Sequence, residues 1–141
     1  MKIIEASENL KSQINAFYKD VGYHSNWSPT ERAFCSLINN EVVGAVKVEN
    51  IHSVSILRGM YLTEQIRNKG YGSKFIQFIE PILNKTTSFC IPFAHLEQFY
   101  AQIGFKKIKM QQLPLFLQKR FVTYESNGHT IIAMQRDNIA V

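Results

Sequence analysis

The segment Arg67-Asn68-Lys69-Gly70-Tyr71-Gly72-Ser73 carries the densest chemical information in the chain. It lies just after a β-like run and just before an apolar helical pattern. Glycines at such a turn let the backbone approach a ligand closely and take dihedrals that a Cβ forbids. The N–H groups of the first helical turn lack intrahelical acceptors, and the positive end of the helix dipole sits beside them. Arg67 and Lys69 add positive charge at the same place. These features together predict a seat for a phosphate group.

The elements that must position this turn follow from periodicity. Lys2–Ala6 reads as a short first strand. Leu10, Ile14, Phe17, Tyr18 and Val21 recur at helical spacing, predicting a helix from about Asn9 to Asp20 with Gly22 just past its end. Ser28-Pro29-Thr30-Glu31 has the form of a capping box, which predicts a short helical turn there. Ala33–Ile38 and Glu41–Glu49 are β-rich runs joined by Asn39-Asn40, a hairpin signal. Val54–Leu62 is the strand that delivers the chain to the glycine turn. Gly72–Leu83 reads as a helix whose last turn Pro81 perturbs. Thr87–Ile91 reads as a strand, His95–Ile103 as a helix stopped by Gly104, and Phe105–Met110 as a strand. Leu115–Tyr124 is helical after Pro114, and Thr130–Gln135 is a last strand after Asn127-Gly128. This order predicts one α/β (α+β) domain over residues 1–141, with a mixed, mostly antiparallel sheet and helices on both faces. Regular β-α-β alternation is lacking, so a Rossmann fold is not predicted.

Composition narrows the class. The chain has 141 residues, 45% hydrophobic and 19% charged, which suits a folded domain and argues against disorder. A net charge of +5 suits an anionic partner, but Lys and Arg are scattered rather than clustered. There is no aromatic–basic interleaving of a nucleic-acid surface, so no nucleic-acid partner is expected. Cys35 and Cys90 form no metal-ligand or redox spacing, and two buried thiols in a reducing compartment are expected, with no metal. The start, Met1-Lys2-Ile3-Ile4-Glu5, has no signal-like apolar region and no run is long enough to span a bilayer. A cytoplasmic protein without a membrane partner is the expectation.

The glycine spacing fits neither a Walker A loop nor a dinucleotide fingerprint. Its context is more specific. Arg67-x-x-Gly70-x-Gly72, preceded by Leu57-Arg58-Gly59-Met60-Tyr61-Leu62, resembles the acyl-CoA-binding motif of the GNAT family of N-acetyltransferases. Phe99-Tyr100-Ala101-Gln102-Ile103-Gly104-Phe105 resembles that family's second signature, at the matching separation. The element order agrees along essentially the whole chain.

The resemblance implies a GNAT-like fold and acetyl-CoA (coenzyme A) as co-substrate. The backbone of Arg67, Asn68, Lys69, Gly70, Tyr71, Gly72 and Ser73 would hold the pyrophosphate, as the physics of a helix N-terminus allows. Met60 and Leu62 would pair with the pantetheine arm, and the Leu62 amide would polarise the thioester carbonyl. Tyr100 matches the tyrosine that protonates the departing thiolate. The family's strand glutamate is missing, since Val54-Ser55-Ile56-Leu57 offers no carboxylate, and its early helical Asn is replaced within Pro92-Phe93-Ala94-His95. The general base stays open among His95, Glu97, Tyr23, His24 and a water chain to solvent. Tyr23, His24, Trp27 and Phe116 are candidates for an aromatic wall around an acceptor amine. Arg58 is a candidate for a substrate carboxylate, or for an ion pair with a neighbouring acid. The expected activity is direct transfer of acetyl to a primary amine on a small molecule or peptide, in a ternary complex. A CoA-binding sensor or interaction module on the same fold is the alternative. Family members often pair through late strands, which leaves a homodimer open.

Overall fold

The computed structural model describes residues 1–139. Its strands are β1 (Lys2–Glu5), β2 (Glu31–Ile38), β3 (Glu41–Ile51), β4 (Val54–Leu62), β5 (Ser88–Cys90), β6 (Lys106–Ile108) and β7 (Ala133–Arg136). Its helices are α1 (Lys11–Asp20), α2 (Tyr71–Ile79), α3 (Glu97–Ala101) and α4 (Leu115–Ser126). The strands form a 7-stranded sheet in the order β1-β2-β3-β4-β5-β7-β6. Neighbours are antiparallel except β4 and β5, which run parallel. The mixed, mostly antiparallel sheet expected from the sequence is therefore the one observed.

Alternation along the strands sorts the core onto two faces. On one face Val46, Val48 and Leu57 meet Phe75, Ile76 and Ile79 of α2, with Tyr100, Ile103 and Phe105 completing the cluster. The other face has two separate apolar patches. Ala33, Cys35 and Ala45 pack on Ile14, Phe17 and Tyr18 of α1. Ile56, Phe89 and Ala133 pack on Leu117 and Phe121 of α4.

The turns follow local chemistry in part. Asn39 and Asn40 both take positive φ (51° and 63°), the twist a two-residue hairpin needs. His52-Ser53 makes the same turn between β3 and β4 with φ 51° and 65°, although neither residue signals it in sequence. Pro81 removes a backbone donor, and α2 accordingly tightens at Glu80–Leu83 into a 3-10 turn. The helix start expected at Ser28–Glu31 stops at one turn, closed by the Glu31 N–H donating to Ser28 C=O at 3.1 Å, and no helix follows. Half of its capping box survives, since the Ser28 N–H donates to the Glu31 carboxylate at 3.0 Å. Glu31 nevertheless opens β2, opposite Glu49, because its carboxylate is also the partner of Lys47 beneath it. Both cysteines are buried free thiols, as expected. Burial pushes the Cys35 thiol up to about 11 and lifts Cys90 as well, which leaves neither poised as a nucleophile.

Candidate functional site

The site begins where the sheet opens. β4 and β5 pair only through Ser55 with Ser88 and Ile56 with Phe89. After Cys90 the chain follows β7 instead, with the Ile132 N–H donating to Pro92 C=O and Phe93 bridging Ile131. The far half of β4 thus borders a gap. On its other side β4 stays paired with β3, with a bulge: Lys47 faces Arg58 and Ala45 faces Tyr61, so Gly59 and Met60 together oppose a single residue. Gly59 takes φ 62°, and Tyr18 fixes the bulge by donating its hydroxyl to Gly59 C=O at 2.9 Å.

Ladder alternation gives the direction of the free groups. The Thr63 N–H donates to Val43 C=O at 2.8 Å. In an antiparallel pair the next residue along turns its N–H and C=O the other way, so those of Leu62 face the gap. Its carbonyl is occupied there by Arg67, whose Nε donates at 3.0 Å. Arg67 is thus a clamp between strand end and turn, beyond the charge that the sequence suggests. The Leu62 N–H keeps its place on the open edge.

The glycine turn lies directly beyond. Gly70 is the residue before α2 and takes φ 81° with no heavy atom near where a Cβ would stand, a left-handed conformation suited to glycine. Asn68 is left-handed as well, at φ 62°. The first backbone donation across this corner is from Lys74 to Gly70 C=O at 3.2 Å. Among the described residues the N–H groups of 68 to 73 have no protein acceptor. A run of free amides at a helix N-terminus is an anion seat. Gly72 serves a different need, because a Cβ there would stand 3.2 Å from the Phe99 ring and 3.3 Å from the Leu62 side chain. The turn is packed against the edge of the gap.

Tyr100, on α3, stands among Phe99 (ring centroids 5.1 Å apart) and Phe105 (6.3 Å), both edge-on. Burial, with smaller contributions from Cys90, Tyr61 and Tyr23, holds its phenol well above the ordinary range, so it stays protonated and keeps an O–H to donate. Among the described residues the enclosed side-chain polar atoms without a partner are Ser36 Oγ, Thr63 Oγ1 and Arg136 Nη1, and the Tyr100 hydroxyl is not one of them.

The opposite face beside the bulge bears a strip of charges between the two apolar patches. Lys47 is fully buried, 3.4 Å from the Glu31 carboxylate. Its Nζ donates to Ser25 Oγ and to Asn26 C=O, both at 3.2 Å, and lies over the rings of Tyr18 and Tyr23. Desolvation pulls the Lys47 ammonium below its ordinary pKa, against the pull of Glu31. Arg120, on α4, grips Glu49 with two nitrogens at 2.7 and 3.1 Å. That grip, set against desolvation, holds the Glu49 carboxyl below its usual range. The strip therefore ties down both the 23–27 loop and α4. Lys47→Met keeps the volume and removes one partner of Glu31, which retains Arg58 and the Ser28 N–H, so it should cost about 1–3 kcal/mol. For a chain of this size that lowers Tm by about 5 °C, readable by calorimetry; an unchanged Tm would show that the Lys47–Glu31 pair adds no net stability.

The candidate acceptor residues are only partly brought together: Tyr23 and His24 line one cavity, Tyr23 and Trp27 pack against the same apolar patch, and Phe116 lies against the other patch. Tyr23 packs on Tyr61 (5.1 Å) and Tyr18 (4.9 Å) beside the bulge. Trp27 is held by two hydrogen bonds: its Nε1 donates to Glu31 C=O at 2.8 Å and its own N–H to Asn15. Phe116 meets His52 and Arg120, and His24 is exposed. Hydrogen-bond anchors and α4 packing claim these rings first. Arg58 lies 3.5 Å from Glu31 and 3.6 Å from Glu49, with its side chain partly open to solvent. His95 is exposed and lies flat on Phe93, with centroids 6.0 Å apart.

A parted strand pair, a bulge and an amide-lined helix start thus meet at one gap, and Tyr100 belongs to the core cluster on which Met60 and Leu62 of that edge pack. The family model described as "Acetyltransferase (GNAT) family" matches residues 6–105. The chain belongs to the GNAT acetyltransferase family. Solved GNAT-fold structures superpose on nearly all of it. The aminoglycoside 6'-N-acetyltransferase from Enterococcus faecium is 16% identical, with TM-score 0.72, covering 100% of this chain and 99% of that one. Escherichia coli ElaA is 14% identical, with TM-score 0.72, covering 96% and 99%. The N-acetylglutamate synthase from Neisseria gonorrhoeae, complexed with coenzyme A and N-acetyl-glutamate, is 15% identical with TM-score 0.73. It covers 99% of this chain, which spans only 35% of that protein. A comparison with curated proteins finds no match. Likenesses at these identities establish the GNAT fold.

Two parts of this GNAT domain escaped sequence reading. The bulge had one signal, a glycine within a β run at Gly59. The charge strip had a fainter one, opposite charges at alternating positions of adjacent strands: Glu31 on β2, Lys47 and Glu49 on β3, Arg58 on β4. Among the described residues no group of His, Cys, Asp and Glu could hold a metal, and no helix is long and apolar enough to cross a membrane.

Proposed function

We propose that this GNAT domain is an acetyl-CoA-dependent N-acyltransferase that passes the acyl group directly to a primary amine. The observation that carries this reading is the free edge of β4 ending at an amide-lined helix start. The pantetheine amides would pair with Met60 and Leu62 as an added strand, and the pyrophosphate would rest on residues 67–73. The amine nitrogen attacks the thioester carbonyl, whose oxygen the Leu62 N–H stabilises while the C–N bond forms. The C–S bond then breaks, and the sulfur leaves as a thiol with the Tyr100 proton. The amine's own proton goes to solvent. His95 is parallel to the Phe93 ring and open to water, and the carboxylates Glu31 and Glu49 are held in ion pairs. The buried free thiols suit a cytoplasmic setting.

The test is release of free thiol from acetyl-CoA when primary amines are supplied. Thiol release that depends on the amine supports the reading, and none with any amine opposes it. His95→Asn should change kcat/KM less than about threefold, with the acid limb following the acceptor amine. A limb of the pH–rate profile that the variant abolishes would instead assign the base to His95.

A further inference from the structure

Arg58 is the cation of the strip with the weakest protein partners. Lys47 has Glu31, Ser25 and Asn26 around it, and Arg120 grips Glu49 with both terminal nitrogens. The Arg58 contacts, at 3.5 and 3.6 Å, are long and both use Nη1. Among the described residues its Nε and Nη2 have no acceptor. Its side chain is 23% exposed, whereas Lys47 shows 0%. Three cations face two carboxylates across the strip, so one positive charge is in excess. Arg58 directly precedes Gly59 of the bulge, on the face opposite α2.

A half-exposed guanidinium fork with spare donors and a surplus charge fits a carboxylate, which it can hold by two parallel hydrogen bonds. A polycation would meet net repulsion at the same place. We infer that Arg58 seats a carboxylate on the acceptor, so that this domain acylates small carboxylate-bearing amines of the amino-acid class rather than polyamines or aminoglycosides. This rests on the acyl-transfer reading. Arg58 takes no part in the bond changes; it holds the acceptor so that its amine reaches the thioester.

The experiment compares thiol release from acetyl-CoA with the standard amino acids, their carboxamides, spermidine and kanamycin, beside calorimetric titration with acetyl-CoA. The wild-type protein should prefer an acid over its own carboxamide by at least about tenfold in kcat/KM, the worth of one charge-assisted contact. Arg58→Gln should erase that preference chiefly through KM, Arg58→Lys should restore part of it, and acetyl-CoA affinity should hold in both. The wild-type acid–amide comparison decides even if Arg58→Gln fails to fold. Equal or better use of carboxamides, spermidine or kanamycin overturns the inference. So does turnover of no acid by a protein that binds acetyl-CoA. Failure to bind acetyl-CoA at all overturns the acyl-transfer reading itself.

Discussion

Tyr100→Phe should lower kcat by about a hundredfold or more while leaving acetyl-CoA affinity within about twofold. The substitution removes one oxygen. The ring keeps its edge-on contacts with Phe99 and Phe105, so the packing of α3 is preserved. What is lost is an O–H that burial keeps protonated. A thiolate leaving into an apolar pocket without a proton donor is an uncompensated charge, and that penalty falls on the transition state alone. The signature is therefore a fall in kcat with little change in KM for acetyl-CoA, read by steady-state thiol release. An equal fall in binding and rate, or no fall in either, would make Tyr100 a packing residue.

Gly72→Val should weaken acetyl-CoA binding by at least about a hundredfold, the loss of two charge-assisted contacts. A Cβ at this position already crowds Phe99 and Leu62, and valine adds two methyl groups on a stiff branch. Either the first turn of α2 lifts or Leu62 moves into the gap. Both shifts disturb the amide run and the β4 edge together. The core beneath α2 is formed by Phe75, Ile76 and Ile79, a turn further on, so the domain should still fold. Gly70→Ala is the contrasting control. Its left-handed backbone is strained by a Cβ at about 1–2 kcal/mol, but nothing stands in the way. Titration of both variants separates steric blockage from backbone strain, and unchanged affinity in Gly72→Val would remove the turn from the cofactor site.

What the sequence disclosed and what it withheld divide along range. The glycine turn, the Asn39-Asn40 hairpin and Tyr100 before Gly104-Phe105 are local patterns, and each sits where local chemistry puts it. The Ser28 capping box was legible too, and misled. Its glutamate makes the local bond, yet the backbone of Glu31 joins a ladder with β3 and its carboxylate meets Lys47. Tertiary pairing overrides propensity in a segment this short. The gap between β4 and β5 could not be read, because it depends on which strand the chain follows after Cys90. The charge strip joins Glu31 to Arg58 and Glu49 to Arg120, partners far apart in sequence. Charged residues in a β run read as solvent-facing; here they are buried because α1, the 23–27 loop and α4 close over them.

The central claim is that the β4 edge and the glycine turn form one seat for acyl-CoA. Calorimetric titration of the unmodified protein with acetyl-CoA, and separately with CoA, tests it most directly. The account predicts saturable one-to-one binding of both, strongly weakened by Gly72→Val. An absence of heat and of saturation with either ligand would contradict it, and the amide-lined corner would then be a feature of the fold alone.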